Sequence, residues 1–433
     1  MVQHDYTFIL ACDHMLSRSS DPDMTQEVKR STIRDALSVY VPSFFDSLGM
    51  SIVSPILPLF ALSFNVDLTL TSLAISMYAL GRFVADLPVG MLADRLGRKP
   101  MMLVGTLILT ITALLNANAR SFWEFISYRV LQGAGASMWM TSRTTLLADI
   151  LRPEERGRIM GYFQTFMLVG TSAGPTIGGV VATIYGLQPT FYVYSLTGFI
   201  TFLLTLIFIQ EPRSLRQRHK EKSEFSLEAY KRLLSNRTYA MACLATFTIF
   251  FMTTGIRSTM IPIYSDKVLD LDAAQIGTIL SYSTLMNLVL TIPVGYMLDY
   301  FGRKVMIVRS MIITAIASLI LPMTGDYTQI SLACLLLGIG TSGAQTGPLA
   351  LATDSTINEP HGLSMSLYRL FGDLALVVGP VLLGVIADSY GLQMPFYFMT
   401  AMLCVSTALM ALFARETYQR RQRKTEPKKE TQV

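Results

Sequence analysis

Twelve predominantly apolar stretches, most of them about 20 residues or longer, run along the chain and are separated by short polar turns. The first six lie at about 37–62, 69–92, 100–118, 121–149, 159–184 and 189–209. The second six lie at about 239–265, 272–297, 304–323, 328–353, 362–387 and 394–414. About 20 apolar residues are what a helix needs to cross roughly 30 Å of hydrocarbon. A soluble helical protein would show a polar face repeating every 3.6 residues, and these stretches lack one. The pattern therefore predicts an all-α membrane protein with twelve transmembrane helices, numbered here spans 1 to 12.

The stretches also repeat. "GMLADRLGRKP" at 90–100 returns as "GYMLDYFGRK" at 295–304, an offset of 205 positions. At the same offset Gly133 and Gly135 match Gly338 and Gly340, Asp149 matches Asp354, and Gly174-Pro175 matches Gly379-Pro380. "YGLQ" at 185–188 recurs at 390–393. The chain thus reads as a duplicated six-span unit, two bundles related by a pseudo-two-fold axis. The division is a tail at 1–35, a bundle at 36–209, a linker at 210–238, a bundle at 239–414 and a tail at 415–433. Parallel repeats of this kind form transporters whose substrate site lies between the halves near the midplane.

The two charged turns occupy equivalent loops, after span 2 and after span 8. In the first, Gly90 and Gly97 permit close backbone approach. Asp94 can accept hydrogen bonds from a helix N-terminus or pair with a basic residue. Arg95, Arg98 and Lys99 follow; the repeat supplies Asp299, Gly302 and Arg303. A contact present in only one conformation would bias the equilibrium between the halves. Topology alone would also explain the basic residues.

Composition supports the membrane reading. Of 433 residues, 51% are hydrophobic and 15% charged, where a soluble domain carries about a quarter charged. The net charge of +5 is no sign of nucleic-acid binding, because its distribution follows topology. With the N-terminus inside, cytoplasmic segments hold 27 of the 35 Lys and Arg, and only Arg120 and Lys267 fall on the other side. Both termini are then cytoplasmic, in a protein expected at the plasma membrane. Cys243, Cys334 and Cys404 fall in spans and Cys12 in the tail, so neither a disulfide framework nor a metal site is implied. No cofactor is expected. Residues 1–23 hold no span or motif and read as dispensable or as a misplaced beginning, with "MTQEVKRSTIR" from Met24 the more usual start. The basic tail "RRQRKTEPKKE" reads as a solvated, lipid-facing segment.

"GMLADRLGRKP" resembles the loop 2–3 signature of the major facilitator superfamily, and the resemblance covers nearly all of residues 36–414. "RVLQGAGAS" at 129–137 resembles its span-4 motif with a buried arginine. "GYFQTFMLVGTSAGPTIGG" at 161–179 matches the span-5 antiporter motif at every fixed position, and "LGMSIVSPILP" at 48–58 resembles the span-1 motif of twelve-span drug/proton antiporters. The resemblance implies a proton-coupled exporter in which Arg129 faces the central cavity and helps control proton movement. Independently of it, Gly170, Gly174 and Gly178 lie four apart and form a stripe for close helix packing, with Pro175 removing a backbone hydrogen bond. The second half has Ala375, Gly379 and Leu383 there instead.

Charged side chains within spans cost about 2.5–3.5 kcal/mol on insertion scales and ask for a reason. Asp46 in span 1, with Pro55 and Pro58, makes a pattern similar to that of vesicular amine transporters, where the acid meets a cationic substrate. A structural salt bridge is the alternative. Arg82–Asp86 in span 2 and Arg369–Asp373 in span 11 are each spaced i, i+4, so each can pair within its own helix. Burial favours a neutral acid and a neighbouring guanidinium the carboxylate, so separating a pair favours protonation. Asp373 is the better proton candidate, since Asp86 approaches the end of its helix. Arg257, in the outer part of span 7, is open between gating and binding an anion. Arg143 and Arg309 read as snorkelling residues.

Together these features lead us to expect a monomeric secondary transporter, embedded in the lipid bilayer, that exports small amphipathic or cationic molecules in exchange for protons. The rivals are a proton-coupled uptake system for a small, anionic metabolite using Arg82, Arg257 or Arg369, and a transporter-like membrane sensor. No enzymatic motif stands out.

Overall fold

A computed structural model describes residues 26–150, 153–209, 227–356 and 361–417. The expectations for residues 1–23, Cys12 and the basic tail lie outside the described residues, as do the side chains of Asp94 and Asp149.

Twelve long helical segments follow the apolar pattern. In the first half these are Gln26–Val53 with Leu57–Leu62, then Leu68–Leu96, Arg98–Ala117, Phe122–Ile150, Pro153–Tyr185 and Leu187–Phe208. Span 1 breaks in the turn containing Pro55 and restarts with Pro58 in its first helical positions, where the missing N–H is tolerated. A short helix, Leu227–Ser235, lies in the linker region. Span 7 comprises Arg237–Phe251, a π-helical stretch Met252–Met260 and Ile261–Lys267. Spans 8 to 12 are Ala273–Phe301, Arg303–Ile320, Tyr327–Ser355, His361–Tyr390 and Met394–Phe413. Among the described residues, ten of the twelve contain a stretch long and apolar enough to cross a membrane. Spans 1 and 4 fall short: the first is polar at its start and broken, and the second carries Glu124, Arg129 and Arg143.

The duplication is visible in the backbone. Among the described residues every positive φ has a partner 205 positions away: Asn65 (58°) with Asp270 (51°), Gly97 (103°) with Gly302 (101°), and Gly186 (93°) with Gly391 (94°). Asp67 and Asp272, also at that offset, cap spans 2 and 8 by accepting from Leu70 N and Gln275 N, each at 2.7 Å, satisfying donors the first helical turn leaves open. Glycine lets spans 4 and 10 approach spans 2 and 8 in equivalent ways. A Cβ at Gly133 would lie 2.1 Å from Tyr78 O, and one at Gly338 2.3 Å from Ser283 O.

The stripe on span 5 packs against span 1. A Cβ at Gly170, Gly174 or Gly178 would meet Phe44 O at 2.8 Å, Ser51 Cβ at 2.4 Å and Ile52 O at 1.9 Å respectively. The expected close packing is therefore an intra-half contact, while neighbouring Gly179 and the Pro175 carbonyl meet Ala273 and Gly277 of span 8 in the other half.

The halves join through two antiparallel helix pairs, span 2 with span 11 and span 5 with span 8. At the face opposite the charged turns both pairs are tight. Asp388 accepts from Leu68 N (3.1 Å), Thr69 N (2.8 Å) and Thr69 Oγ1 (2.5 Å). Thr183, its mate by the 205 offset, accepts from Ala274 N at 2.9 Å. Thr176 N and Oγ1 meet Ser281 Oγ at 3.0 and 2.8 Å. At the charged-turn face the pairs separate. A Cβ at Gly90, Gly161 or Gly295 would meet no atom within 4 Å, and Val84, Met91, Tyr296 and Tyr300 are exposed. The close approach expected at Gly90 is thus not made, because the helices bearing it have parted in this conformation. Gly97 serves the turn through its backbone angle instead.

This packing predicts opposite outcomes for two glycines of span 5. Gly178→Ala should lower the thermal midpoint in detergent, as overpacking costs about 1–3 kcal/mol, whereas Gly161→Ala should leave it unchanged or raised. Equal shifts in differential scanning fluorimetry would contradict the assignment.

Candidate functional site

Arg82 and Asp373 form an ion pair, Nη2 to Oδ1, joining the middle of span 2 to the middle of span 11. This overturns both expected i, i+4 pairs. Helix spacing makes such pairs possible, but the two helices pack side by side and the partner across the interface lies closer. Asp86 instead accepts from Ser137 Oγ (2.5 Å) and Thr141 Oγ1 (3.3 Å) of span 4. Arg369 is exposed and makes no ion pair with a described residue.

The bridge sits where the interface ends. From the far face inward, span 2 meets span 11 at Thr69–Asp388, then Ser72–Gly384, then Arg82–Asp373. The same antiparallel register continues to Gly90 and Ser366, where the helices no longer touch. It is the only interhalf ion pair among the described residues, and its side chains are 17% (Arg82) and 15% (Asp373) exposed. Water can therefore reach the carboxylate.

The first half contains a second buried pair. Trp139 Nε1 donates to Asp46 Oδ2 at 2.8 Å, and Arg143 Nη1 lies 3.6 Å from the same oxygen. Arg143 is only 1% exposed, with its guanidinium 5.4 Å from the Trp139 ring and 4.9 Å from that of Phe163. Arg143 therefore does not snorkel: it is locked between aromatic faces by its counter-charge. Asp46 is met by a protein cation, as the salt-bridge alternative expected. Arg309 is exposed, lying over Phe301 at 5.8 Å.

Arg129 is buried and makes no ion pair with a carboxylate among the described residues. Its Nε donates to Ala74 O (3.1 Å) and its Nη1 to Gln132 Oε1 (2.6 Å), and it covers the Tyr78 ring at 4.7 Å. Gln132 also accepts from Asn116 at 3.3 Å. Neutral acceptors and an aromatic face thus stabilise the charge.

At the second charged turn, Arg303 pairs with Asp354 and, at 3.5 Å, with Asp299. Glu416 accepts from Arg303 N (2.8 Å) and Lys304 N (3.0 Å), capping span 9 from beyond span 12. At the first turn, Lys99 Nζ donates to Leu206 O at 2.9 Å, Arg95 is exposed and Arg98 is buried. Reading single helices missed Trp139, Arg143, Asp388 and Glu416 as partners; only the 205 offset, which equates Asp388 with Thr183, carried a signal for any of them.

The Major Facilitator Superfamily model matches residues 40–274 and 251–432. The chain is 29% identical over 393 residues to the multidrug resistance protein MdtG of Enterobacter lignolyticus, covering 87% of this chain and 91% of that one. It is 28% identical over 376 residues to the multi-drug resistance efflux pump PmrA of Streptococcus pneumoniae, covering 84% and 91%. Among solved structures, a bacterial homolog of the human lysosomal transporter Spinster superposes with a TM-score of 0.75 at 14% identity, covering 89% of this chain and 97% of that one. The nucleoside transporter NupG gives 0.72 at 14%, covering 87% and 99%.

The Asp46–Arg143 geometry predicts a rescue. Asp46→Asn strands a buried guanidinium and should destabilise the protein by about 3–5 kcal/mol. Adding Arg143→Met, which removes the orphan charge, should restore much of the thermal midpoint. A double variant no more stable than the single one would refute the pairing.

Proposed function

The chain belongs to the major facilitator superfamily, and we propose that it exports small amphipathic or cationic compounds in exchange for protons by alternating access. It is a multi-pass membrane transporter, not an enzyme. The observation that carries the proton-coupled reading is the Arg82–Asp373 pair: a carboxylate that can accept a proton closes an ion pair between the two halves.

The distribution of Lys and Arg supports a cytoplasmic charged-turn face, in which case the conformation described opens inward. In that state Asp373 is ionised against Arg82, its proton already released to the cytoplasm. Substrate entering from that side competes for the interface, and rocking of the 36–209 and 239–414 bundles separates the pair. The freed carboxylate then faces the outside and takes up a proton. On return Arg82 displaces that proton inward, and the cycle exchanges one solute for at least one proton. Asp86, held by two hydroxyls, and Arg129, held by neutral acceptors, line the same half as secondary elements of the proton path. The charged turns, with Gly90, Asp94, Arg95, Gly97, Arg98 and Lys99 in one and Asp299, Gly302 and Arg303 in the other, act as couplings that re-form as the cytoplasmic face closes. The transporter acts as a monomer in the plasma membrane. The names of MdtG and PmrA favour efflux of diverse compounds over uptake, and a fold shared with a nucleoside transporter leaves substrate to local chemistry.

Asp373→Asn keeps the size of the side chain but cannot ionise. In proteoliposomes, substrate exchange without a pH gradient should persist at roughly the wild-type rate, while gradient-driven accumulation should fall to background. Accumulation at the wild-type level would mean that the proton travels by another group, and the coupling reading would fail.

A further inference from the structure

Arg257 differs from the other deeply placed arginines. Arg82 has Asp373, Arg143 has Asp46 and Arg129 has Gln132 and a backbone carbonyl. Arg257, partly buried within span 7, makes no hydrogen bond or ion pair with any described residue. A guanidinium carries five donors and no acceptor, and within a membrane-spanning helix such a charge is retained only against a partner or a hydrated cavity.

Its placement is specific. Residues 252–260 form a π-helix, with Ser258 Oγ and Thr259 Oγ1 bonded to carbonyls five residues back at 3.2 and 2.7 Å. π-Helical turns tend to mark functional positions. Gly255 packs against Leu383 and Gly379 of span 11, so the side chain two residues on turns away from that helix. It lies within electrostatic reach of Cys334 on span 10, and Cys334 is the mate of Arg129 at the 205 offset. The second half thus receives a guanidinium near the position where the first half has its own, but from span 7 and with its donors open. One turn below, Thr253 accepts from Gln345 Nε2 at 3.4 Å, and Gln345 Oε1 accepts from Asn287 at 3.2 Å. These are neutral hydrogen-bonding groups with no carboxylate among them.

We propose that Arg257, with Thr253 one turn back along span 7 and Gln345 bonded to it, is an oxyanion subsite of the second half that takes the carboxylate or phosphate group of an amphipathic substrate. The proposal rests on the transporter reading above and adds to its substrate class: compounds carrying an oxyanion as well as an apolar body are recognised. The two acceptors of Arg129 explain why the first half offers no second such site.

The test uses the purified full chain in detergent and two dyes differing in one group, rhodamine B with its free carboxylate and the ethyl ester of rhodamine B. Dissociation constants come from fluorescence polarisation. The ratio of the ester constant to the acid constant should fall about tenfold in R257Q, the size of one lost charge-assisted contact, with ester affinity unchanged. R257K should retain part of the preference. An unchanged ratio in R257Q, or equal weakening of acid and ester, would overturn the proposal, the second marking Arg257 as structural. If R257Q elutes as aggregate, R257K decides: a ratio identical to wild type counts against a planar, bidentate guanidinium site. Proton-driven export of the ester by wild-type protein tests the transport reading separately, so failure of one is distinguishable from failure of the other.

Discussion

One ion pair, Arg82 with Asp373, joins the two halves where their packing gives way. Two six-helix halves could otherwise separate at either face, since spans 2, 5, 8 and 11 present small residues at both ends. At the far face those residues are in contact; at the charged-turn face Gly90, Gly161 and Gly295 have nothing against them. The bridge lies at the boundary between the two regimes. Beyond it the helices diverge, and before it Asp388 and Thr183 cap the opposing half's spans 2 and 8. A carboxylate–guanidinium contact depends on charge, whereas glycine packing does not.

The scaffold is symmetric and its charges are not. Backbone angles, N-caps and glycine contacts repeat at 205 positions, yet the mate of Arg129 is Cys334 and the mate of Asp46 is Phe251. Apart from Arg82, the deeply placed charged groups of the first half make internal bonds: Asp46 with Arg143 and Trp139, Arg129 with Gln132, Asp86 with Ser137 and Thr141. The second half contributes Asp373 to the bridge and leaves Arg257 open. Duplication therefore supplies the two bundles, and the departures from it supply the charged contacts.

The spans, the repeat and the superfamily were legible because each rests on local or periodic information. Length and hydropathy define a helix, and a constant offset defines a duplication. The ion pairs were not legible, because helix spacing says which residues share a face and not which neighbour that face meets. Arg82–Asp86 and Arg369–Asp373 satisfy the spacing rule equally well, and the helix–helix register of spans 2 and 11 chose Arg82–Asp373 instead. Arg143 departs from expectation for a related reason: a long basic side chain in a span usually reaches toward water, and only the fold shows Asp46, Trp139 and Phe163 around it. The glycines of span 5 were recognised as a packing stripe, but the identity of the partner, span 1, came from three-dimensional contact.

The central claim is that the Arg82–Asp373 pair holds the charged-turn face open and that protonating Asp373 releases it. Spin labels at Tyr162 on span 5 and Tyr296 on span 8, both exposed beside the unpartnered glycines, report that opening through their dipolar distance. At alkaline pH the long distance should dominate, acidification should shift the population toward the short one, and Asp373→Asn should favour the short distance to the same extent at every pH while still sampling the long one. A distance distribution that ignores pH, or an Asp373→Asn variant that follows the wild type, would contradict the account.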